Sequence, residues 1–494
     1  MKLKLLLYFL LIEFAAHSQA NVEWYNYPGG VSVATNSTYD VYTVDWDFNP
    51  AGDITLTKRD SSGAILWDTA YDNTDPSTHE VATWVETDNS GNIIVSGTIR
   101  SGISNPVNAA SLLMKFDSAG TLLWRVVYES SFDGSSTKKI LVDSNDNIYA
   151  LGLGIGPNGM VTKVKKFDAG GTAVWSYFDT TGIGSPLNIK FTPDNNLLII
   201  ARGVTGSANG FSKIDLNGNV IWSLAPVSSN TIGDAAGDAF GNTYLVNGEY
   251  VISNSGSVIQ KLSPGGTQIW ADTNSITAFR VEVGTDNFPV ICGFPNSGTP
   301  GASFIKYNDN GIVLWQNLDG DGPLYALLLH AQMGMDINNA IYLAAGTLTQ
   351  MALCKISSAG ISEWTLAMPG SYSNGFDFRT NDVIYLVGGT TAKISQNVIT
   401  ATSQQTPNES ENNIRVFPNP FQGKTNLEFI SSTRSNTSVS IYDMAGRKIQ
   451  YNSTEELDPG KITITLDMSE FTNGVYFCII QSGETTRRIK LIKN

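Results

Sequence analysis

A pattern Lys-x4-Gly-x3-Trp occurs seven times in this 494-residue chain, each time without insertion. The instances are Lys58-Gly63-Trp67, Lys115-Gly120-Trp124, Lys166-Gly171-Trp175, Lys213-Gly218-Trp222, Lys261-Gly266-Trp270, Lys306-Gly311-Trp315 and Lys355-Gly360-Trp364. Successive tryptophans are 57, 51, 47, 48, 45 and 49 residues apart. A unit of that length cannot bury an apolar face alone and must stack on its neighbours, and this period is that of four-stranded propeller blades.

Each unit has a second recurring half, in which turn residues precede an apolar run. It reads Ser90-Gly91-Asn92-Ile93-Ile94-Val95, Asn145-Asp146-Asn147-Ile148-Tyr149-Ala150 and Asn338-Asn339-Ala340-Ile341-Tyr342-Leu343. Gly, Asn and Asp adopt positive φ at low cost, and a strand packed between blades is apolar on both faces. The Lys-to-Trp half then forms the outer hairpin, and its lysines, with Lys393, are expected to pack their stems and leave their heads solvated. After Trp364 one more inner half appears, Val383 to Gly388, with Lys393 but no Gly or Trp in phase. Trp24, 43 residues before Trp67, supplies the missing strand. The expected fold is an all-β, eight-bladed propeller over 21–395 closed by the N-terminal strand, with seven blades as the alternative.

The termini differ from this body. Lys2, Lys4, the apolar run Leu5 to Ile12 and small residues ending at Ala20 have the layout of a secretory signal peptide over 1–20. The run is too short for a permanent membrane span, so no integral membrane segment is expected in the mature chain. Cys292, Cys354 and Cys478 are odd in number and lack metal-ligand spacing, so they read as buried thiols, and no metal is expected. The net charge is −14, whereas residues 413–494 carry 10 basic and 8 acidic groups and the first twenty residues are +1, which leaves 21–412 at −17. That sign opposes binding to phosphate polymers, so nucleic acid is not an expected partner. Residues 396–412, containing QQTPNESENN, read as a linker. Beyond it, alternating segments such as Ser438 to Tyr442 and Lys461 to Leu466 predict a small β-sandwich over 413–494.

This tail resembles the type A C-terminal sorting domain of the type IX secretion system of Bacteroidetes. The matching residues are Phe417-Pro418-Asn419-Pro420, Ile441-Tyr442-Asp443 followed by Gly446, Gly474-Val475-Tyr476, and the basic end Lys490-Leu491-Ile492-Lys493. The resemblance implies recognition by the secretion machinery, removal of the tail, and a product that is secreted or held at the cell surface. Residues 21–396 resemble secreted bacterial β-propeller-repeat proteins. The run KFDSAGTLLW also resembles the docking motif of quinoprotein dehydrogenase propellers, but no adjacent cysteine pair and no matching Glu-Asn-Asp set accompanies it, and no cofactor is expected.

Repeats can be aligned on their own turns. One column reads Asp45, Trp84, Lys139, Asn188, Asp234, Arg280, Gln332 and Gly375, and the next reads Trp46, Val85, Ile140, Ile189, Ala235, Val281, Met333 and Phe376. Period-two alternation of polar and apolar columns places one side in the core and the other in water. On the innermost strand the polar column, Asp45 to Gln332, would ring the channel as a candidate ligand site. A second ring would hold Asp47, Glu86, Lys190, Glu282 and Asp377. His79 and His330 stand in unrelated contexts, and Asp319-Gly320-Asp321-Gly322 lacks the later ligands of a calcium loop, so no catalytic cluster is evident. The expectation is a binding or adhesion module for an extracellular glycan or protein. The alternative is a polysaccharide hydrolase or lyase using channel carboxylates such as Asp47 and Glu86.

Overall fold

A computed structural model describes residues 20–493, except 28, 47–52, 73–77, 102–108, 132–135, 157–158, 180–184, 203–208, 225–230, 250–256, 296–300, 319–330, 347–348, 371–372, 381–382, 397–413, 432–434, 443–447, 458–459 and 483–484. Every regular element among them is a strand, and no helix is long and apolar enough to cross a membrane. The chain divides into two compact units, Met1–Val398 and Ile399–Asn494.

The first unit is a β-propeller whose described residues form eight four-stranded antiparallel sheets. The first strands of the sheets are β2 (Ser32–Thr35), β6 (Thr78–Thr87), β10 (Thr137–Val142), β14 (Ser185–Phe191), β18 (Thr231–Gly237), β22 (Ile276–Val283), β26 (Gln332–Met335) and β30 (Ser373–Thr380). Neighbouring sheets touch through these strands, and β2 lies against β30, so the sheets close into a ring around a channel. The eighth sheet is β30, β31 (Val383–Gly388), β32 (Thr391–Gln396) and the chain's first strand, β1 (Ala20–Asn26). As the sequence predicts, Trp24 completes it, paired with Lys393.

The repeated motif explains the outer hairpin. Lys58 pairs with Trp67, and the register slips by one residue immediately afterwards; the same happens at the other six Lys–Trp pairs. The motif glycines have φ between +79° and +87°, the left-handed conformation such a bulged turn demands. Their lack of a side chain has a second use. Each Trp ring lies on the motif glycine of the next sheet, Trp24 on Gly63 and so on to Trp315 on Gly360, where an added Cβ would sit 2.5 to 3.2 Å from the ring.

Second strands are apolar on both faces because each face packs on a different neighbour. Ile93, Ile94 and Val95, for example, are wholly buried, and Ile93 and Val95 share a core cluster with Val44 and Leu56 of the preceding sheet. Cys292 and Cys354 belong to one such inter-sheet cluster, and burial pushes the Cys292 thiol well above its ordinary range.

The motif lysines depart from the sequence expectation of packed stems with solvated heads. Lys213 is 0% exposed, its ammonium held by Asp194 at 2.8 Å and by the Gly241 carbonyl at 2.7 Å. Lys115, Lys306 and Lys393 pair with Asp88, Asp286 and Glu23. Lys58, Lys166, Lys261 and Lys355 stand over the rings of Tyr42, Tyr149, Tyr244 and Tyr342. Several heads also bond a turn carbonyl of the next sheet, as Lys58 does to Ser118 and Lys393 to Ser61. A buried ammonium must recover its lost hydration, and the turns supply the acceptors.

The second unit has the sheets β33 (Ile414–Phe417), β34 (Lys424–Ser431), β37 (Gly460–Asp467) and β36 (Lys448–Leu457), β35 (Ser435–Tyr442), β38 (Gly474–Ser482), β39 (Thr485–Lys493). Leu427, Val439, Ile441, Leu466, Tyr476, Cys478 and Leu491 form the core, to which both sheets contribute.

Candidate functional site

Seven of the eight expected column residues lie on first strands. All seven are paired with the second strand, as Trp84 is with Ser96 and Lys139 with Leu151, and all but Gly375 stand four residues ahead of the turn into it. The exception is Asp45, which lies on the second strand of the first sheet, β3 (Val41–Trp46), opposite Thr55. Ser32, paired with Val44, holds the equivalent place, and Val33 replaces Trp46 in the apolar column. The first strand there is four residues long and its turn is Asn36 to Asp40 without glycine, so the longer apolar run of β3 imitates a first strand. Asp47, His330 and the run 319–322 lie outside the described residues.

A feature with no signal in the sequence pattern aims these side chains. Five first strands carry a register slip directly before the column residue, between Ala82 and Trp84, Thr137 and Lys139, Pro186 and Asn188, Ala278 and Arg280, and Ser373 and Gly375. The extra residue twists the strand locally and re-aims the following side chain.

The column is a linked network around the channel. Lys139 stands over the Trp84 ring, 5.0 Å from its centroid, and its ammonium donates to Asn188 Oδ1 at 3.0 Å. Trp84 Nε1 donates to Glu86 at 2.9 Å. Lys190 bridges Asp234 at 2.9 Å and Glu282 at 2.7 Å. Arg280 is held by the carbonyls of Ala331 and Phe279, both at 2.7 Å. Gln332 is half-buried beside Gly375.

Burial, with the repulsion of Lys190, outweighs the pull of Glu86 and brings the Lys139 ammonium down to about 8. Burial also works against the Lys190 ammonium, but Asp234 and Glu282 hold it above the ordinary lysine range. Two carboxylates sharing one cation leave Glu282 raised, chiefly by burial.

At the turn end of the channel, a cavity of about 280 Å³ is lined by Val33, Ala34, Thr35, Trp84, Glu86, Thr87, Phe376 and Asp377. Thr35 Oγ1 donates to Asp377 at 2.5 Å across the junction of the first and eighth sheets. The second ring of the sequence reading thus separates into two places, Glu86 and Asp377 at this cavity and Lys190 with Glu282 across the channel. Two aromatic rings, two carboxylates and two threonine hydroxyls make a lining that can stack on a flat apolar face and hydrogen-bond to hydroxyl groups.

Among the described residues one carboxylate group was not foreseen. Asp53, Asp72 and Glu80 bring ligand atoms within 4.8 Å of one another between the first two sheets. Three carboxylates fall short of the six to eight oxygens that a calcium ion takes.

In the second unit Phe417 ends β33 and is exposed, Pro418 to Pro420 follow it, and Thr425 Oγ1 donates to the Pro418 carbonyl at 2.6 Å. Asn419 lies in the same segment. Gly474 pairs with Lys493, and Lys490 with Phe477, on the last hairpin. Tyr476 is buried and its hydroxyl donates to the Thr472 carbonyl at 2.6 Å. Gly446 lies outside the described residues.

Residues 415–494 match the family model described as a secretion system C-terminal sorting domain. None of the curated proteins matches the sequence. Among solved structures, the β-propeller domain of the Trilobed protease from Pyrococcus furiosus is similar at 10% identity and a TM-score of 0.38, over 62% of this chain and 88% of that one. A protein of unknown function from Bacteroides caccae is similar at 12% identity and a TM-score of 0.35, over 67% and 93%. PorZ of Porphyromonas gingivalis, a surface component of the type IX secretion system, is similar at 12% identity and a TM-score of 0.27, over 94% and 81%. With its sorting tail matched over eighty residues and its body built of four-stranded blades, the chain is a β-propeller protein sorted by the type IX secretion system of Bacteroidetes.

Proposed function

We propose that this protein is a binding or adhesion module, delivered outside the cell by its sorting tail, whose channel recognises an extracellular glycan or protein. The observation that carries the reading is the cavity at the turn end of the channel, where Trp84 and Phe376 stand beside Glu86 and Asp377. Carboxylates accept hydrogen bonds from hydroxyls and amides, and an indole face packs on the apolar face of a sugar ring or a side chain. Lys139 and Glu86 fix Trp84 from two sides, so little ordering cost remains for the ligand to meet.

Calorimetric screening against polysaccharides and surface proteins tests this. Trp84→Ala is expected to weaken binding about tenfold or more while the protein stays folded, since the loss of one aromatic contact and its buried area is on the order of 1–2 kcal/mol. Unchanged affinity in a folded Trp84→Ala protein refutes the cavity as the site.

One observation favours a second reading. Glu86 and Asp377 line the same cavity, as an acid and base pair in glycoside cleavage must. Turnover of a screened polysaccharide that is abolished by both Glu86→Gln and Asp377→Asn would make the protein a hydrolase or lyase instead.

A further inference from the structure

Every polar hydrogen on the side chains that line the Trp84 cavity is already bonded. There are three, on Thr35, Trp84 and Thr87. Trp84 Nε1 donates to Glu86 at 2.9 Å, Thr35 Oγ1 to Asp377 at 2.5 Å and Thr87 Oγ1 to the Thr35 carbonyl at 2.9 Å. The last two bonds join the first sheet to the eighth and to the second, so a hydroxyl turned towards a ligand would give up a junction of the ring. What the lining side chains can present is therefore acceptor oxygen, beside the ring faces of Trp84 and Phe376. A carboxylate has about four lone-pair sites, so Glu86 and Asp377 can serve a ligand beside the partners they have. Among the described residues the lining includes no lysine or arginine. The Lys139 ammonium over the Trp84 ring is engaged by Asn188 Oδ1 at 3.0 Å and is not part of the lining.

This inventory discriminates among ligands. A sugar hydroxyl accepts as well as donates, and its oxygen would meet no side-chain donor here in place of water. The head of a lysine or arginine only donates, and its methylene stem is apolar, as Trp84, Phe376 and Val33 are. An ammonium or guanidinium is also drawn to an aromatic face. The cavity, at about 280 Å³, lies just below the ~300–1,000 Å³ of small-molecule pockets, a size for one side chain and not for a run of sugar rings.

We propose that the cavity takes a lysine or arginine side chain presented by a protein ligand, with its head bonded by Glu86 and Asp377 and its stem along Trp84. This inference rests on the binding reading above and narrows its ligand from glycan or protein to a basic segment of protein. The charge of −17 on the body steers such a segment towards the channel.

The test uses the full-length protein and end-blocked alanine pentapeptides with a central lysine, arginine or norleucine, the last keeping the stem without the charge. A glucosamine trimer offers the same ammonium on a sugar. Calorimetry is expected to show one basic peptide binding at least tenfold more tightly than the norleucine peptide, and less tightly as salt rises. Glu86→Gln and Asp377→Asn keep the shape and remove the charge. Each should lose at least tenfold of that affinity, and either serves if the other fails to fold. Asp68→Asn, exposed on the outer strand β5 (Ile65–Tyr71), removes the same charge away from the cavity and should lose less than twofold. Unchanged affinity in a folded Glu86→Gln or Asp377→Asn protein overturns the inference. An equal loss in Asp68→Asn also overturns it, because attraction by the whole body then accounts for binding. Tighter binding of the glucosamine trimer than of both basic peptides overturns it too, and dependence of that sugar on Trp84 would uphold the broader reading with a glycan. Basic peptides that bind no better than norleucine, or not at all, overturn it and leave the broader reading to its own screen.

Discussion

Trp24 stands opposite Lys393 in the register in which Trp67 stands opposite Lys58, although one pair joins the chain's two ends and the other closes a hairpin. The Trp24 indole donates to the Ser61 carbonyl at 3.2 Å and lies on Gly63 of the first sheet. Because the ring is half-buried, Trp24→Ala should cost about 2–3 kcal/mol, below the range for a wholly buried tryptophan. That is a fall of several degrees in Tm, measurable by calorimetry. Deleting 21–30 should also bare the β32 edge and promote association, visible by light scattering.

Gly266 and Gly91 separate backbone strain from close packing. Both have positive φ, +84° and +80°, but a Cβ at Gly266 would lie 2.6 Å from Trp222 whereas one at Gly91 meets nothing within 4 Å. Gly91→Ala should cost about 1 kcal/mol from conformation alone, and Gly266→Ala a further ~1–3 kcal/mol from displacing the indole. Equal denaturation midpoints would show that the Trp–Gly contact is not tight.

Removing the Lys213 ammonium takes the charged partner from Asp194, which keeps the Asn196 amide, and the donor from the Gly241 carbonyl. Lys213→Met should therefore destabilise by about 3–5 kcal/mol, and adding Asp194→Asn should recover part of the loss. Urea titration of the single and double variants measures the coupling.

Two lysines give stability a definite pH dependence. Burial, with a smaller push from a neighbouring lysine, brings both Lys139 and Lys163 down to about 8. Below pH 8 both folded and unfolded chains hold these protons, and the penalty of burying the charge is present in full. Between pH 8 and the ordinary lysine value near 10.5, the unfolded chain binds more protons, so stability rises with pH. Lys139→Met/Lys163→Met should raise stability at pH 7 and flatten that rise, as urea midpoints at pH 7, 8, 9 and 10 would reveal.

Deleting Asn413 to Asn494 should leave folded propeller in the periplasm, because the tail carries the sorting signal. Mass spectrometry of the wild-type exported product should find its C-terminus between 396 and 413. An extracellular form still ending at Asn494 would contradict removal of the tail.

The architecture was legible because its determinants are local and repeated. A lysine, a left-handed glycine and a tryptophan at fixed spacing specify a bulged hairpin wherever they occur, so the pattern located the hairpins and the Trp24 strand. The channel was legible only in part. Its residues were found by aligning turns, and the alignment failed at Asp45, where β2 is short and its turn lacks glycine. The slips before Trp84, Lys139, Asn188 and Arg280 come from strand pairing, which periodicity along one strand cannot show. The lysine heads were misjudged for a related reason, since their acceptors, such as Ser118 for Lys58, belong to a turn sixty residues away.

The pairing of Ala20 with Gln396 joins positions 376 residues apart, whereas the other seven sheets are each built from one continuous stretch of chain. Local sheets can assemble as the chain emerges, but a contact of such long range must wait for its second partner. Until β30 to β32 are available, the nascent body is an open crescent with the face of β2 bare on one side and that of β27 (Ile341–Gly346) on the other. Completion of the ring is therefore a late event in the life of the chain, and it coincides with synthesis of the segment that leads into the sorting tail.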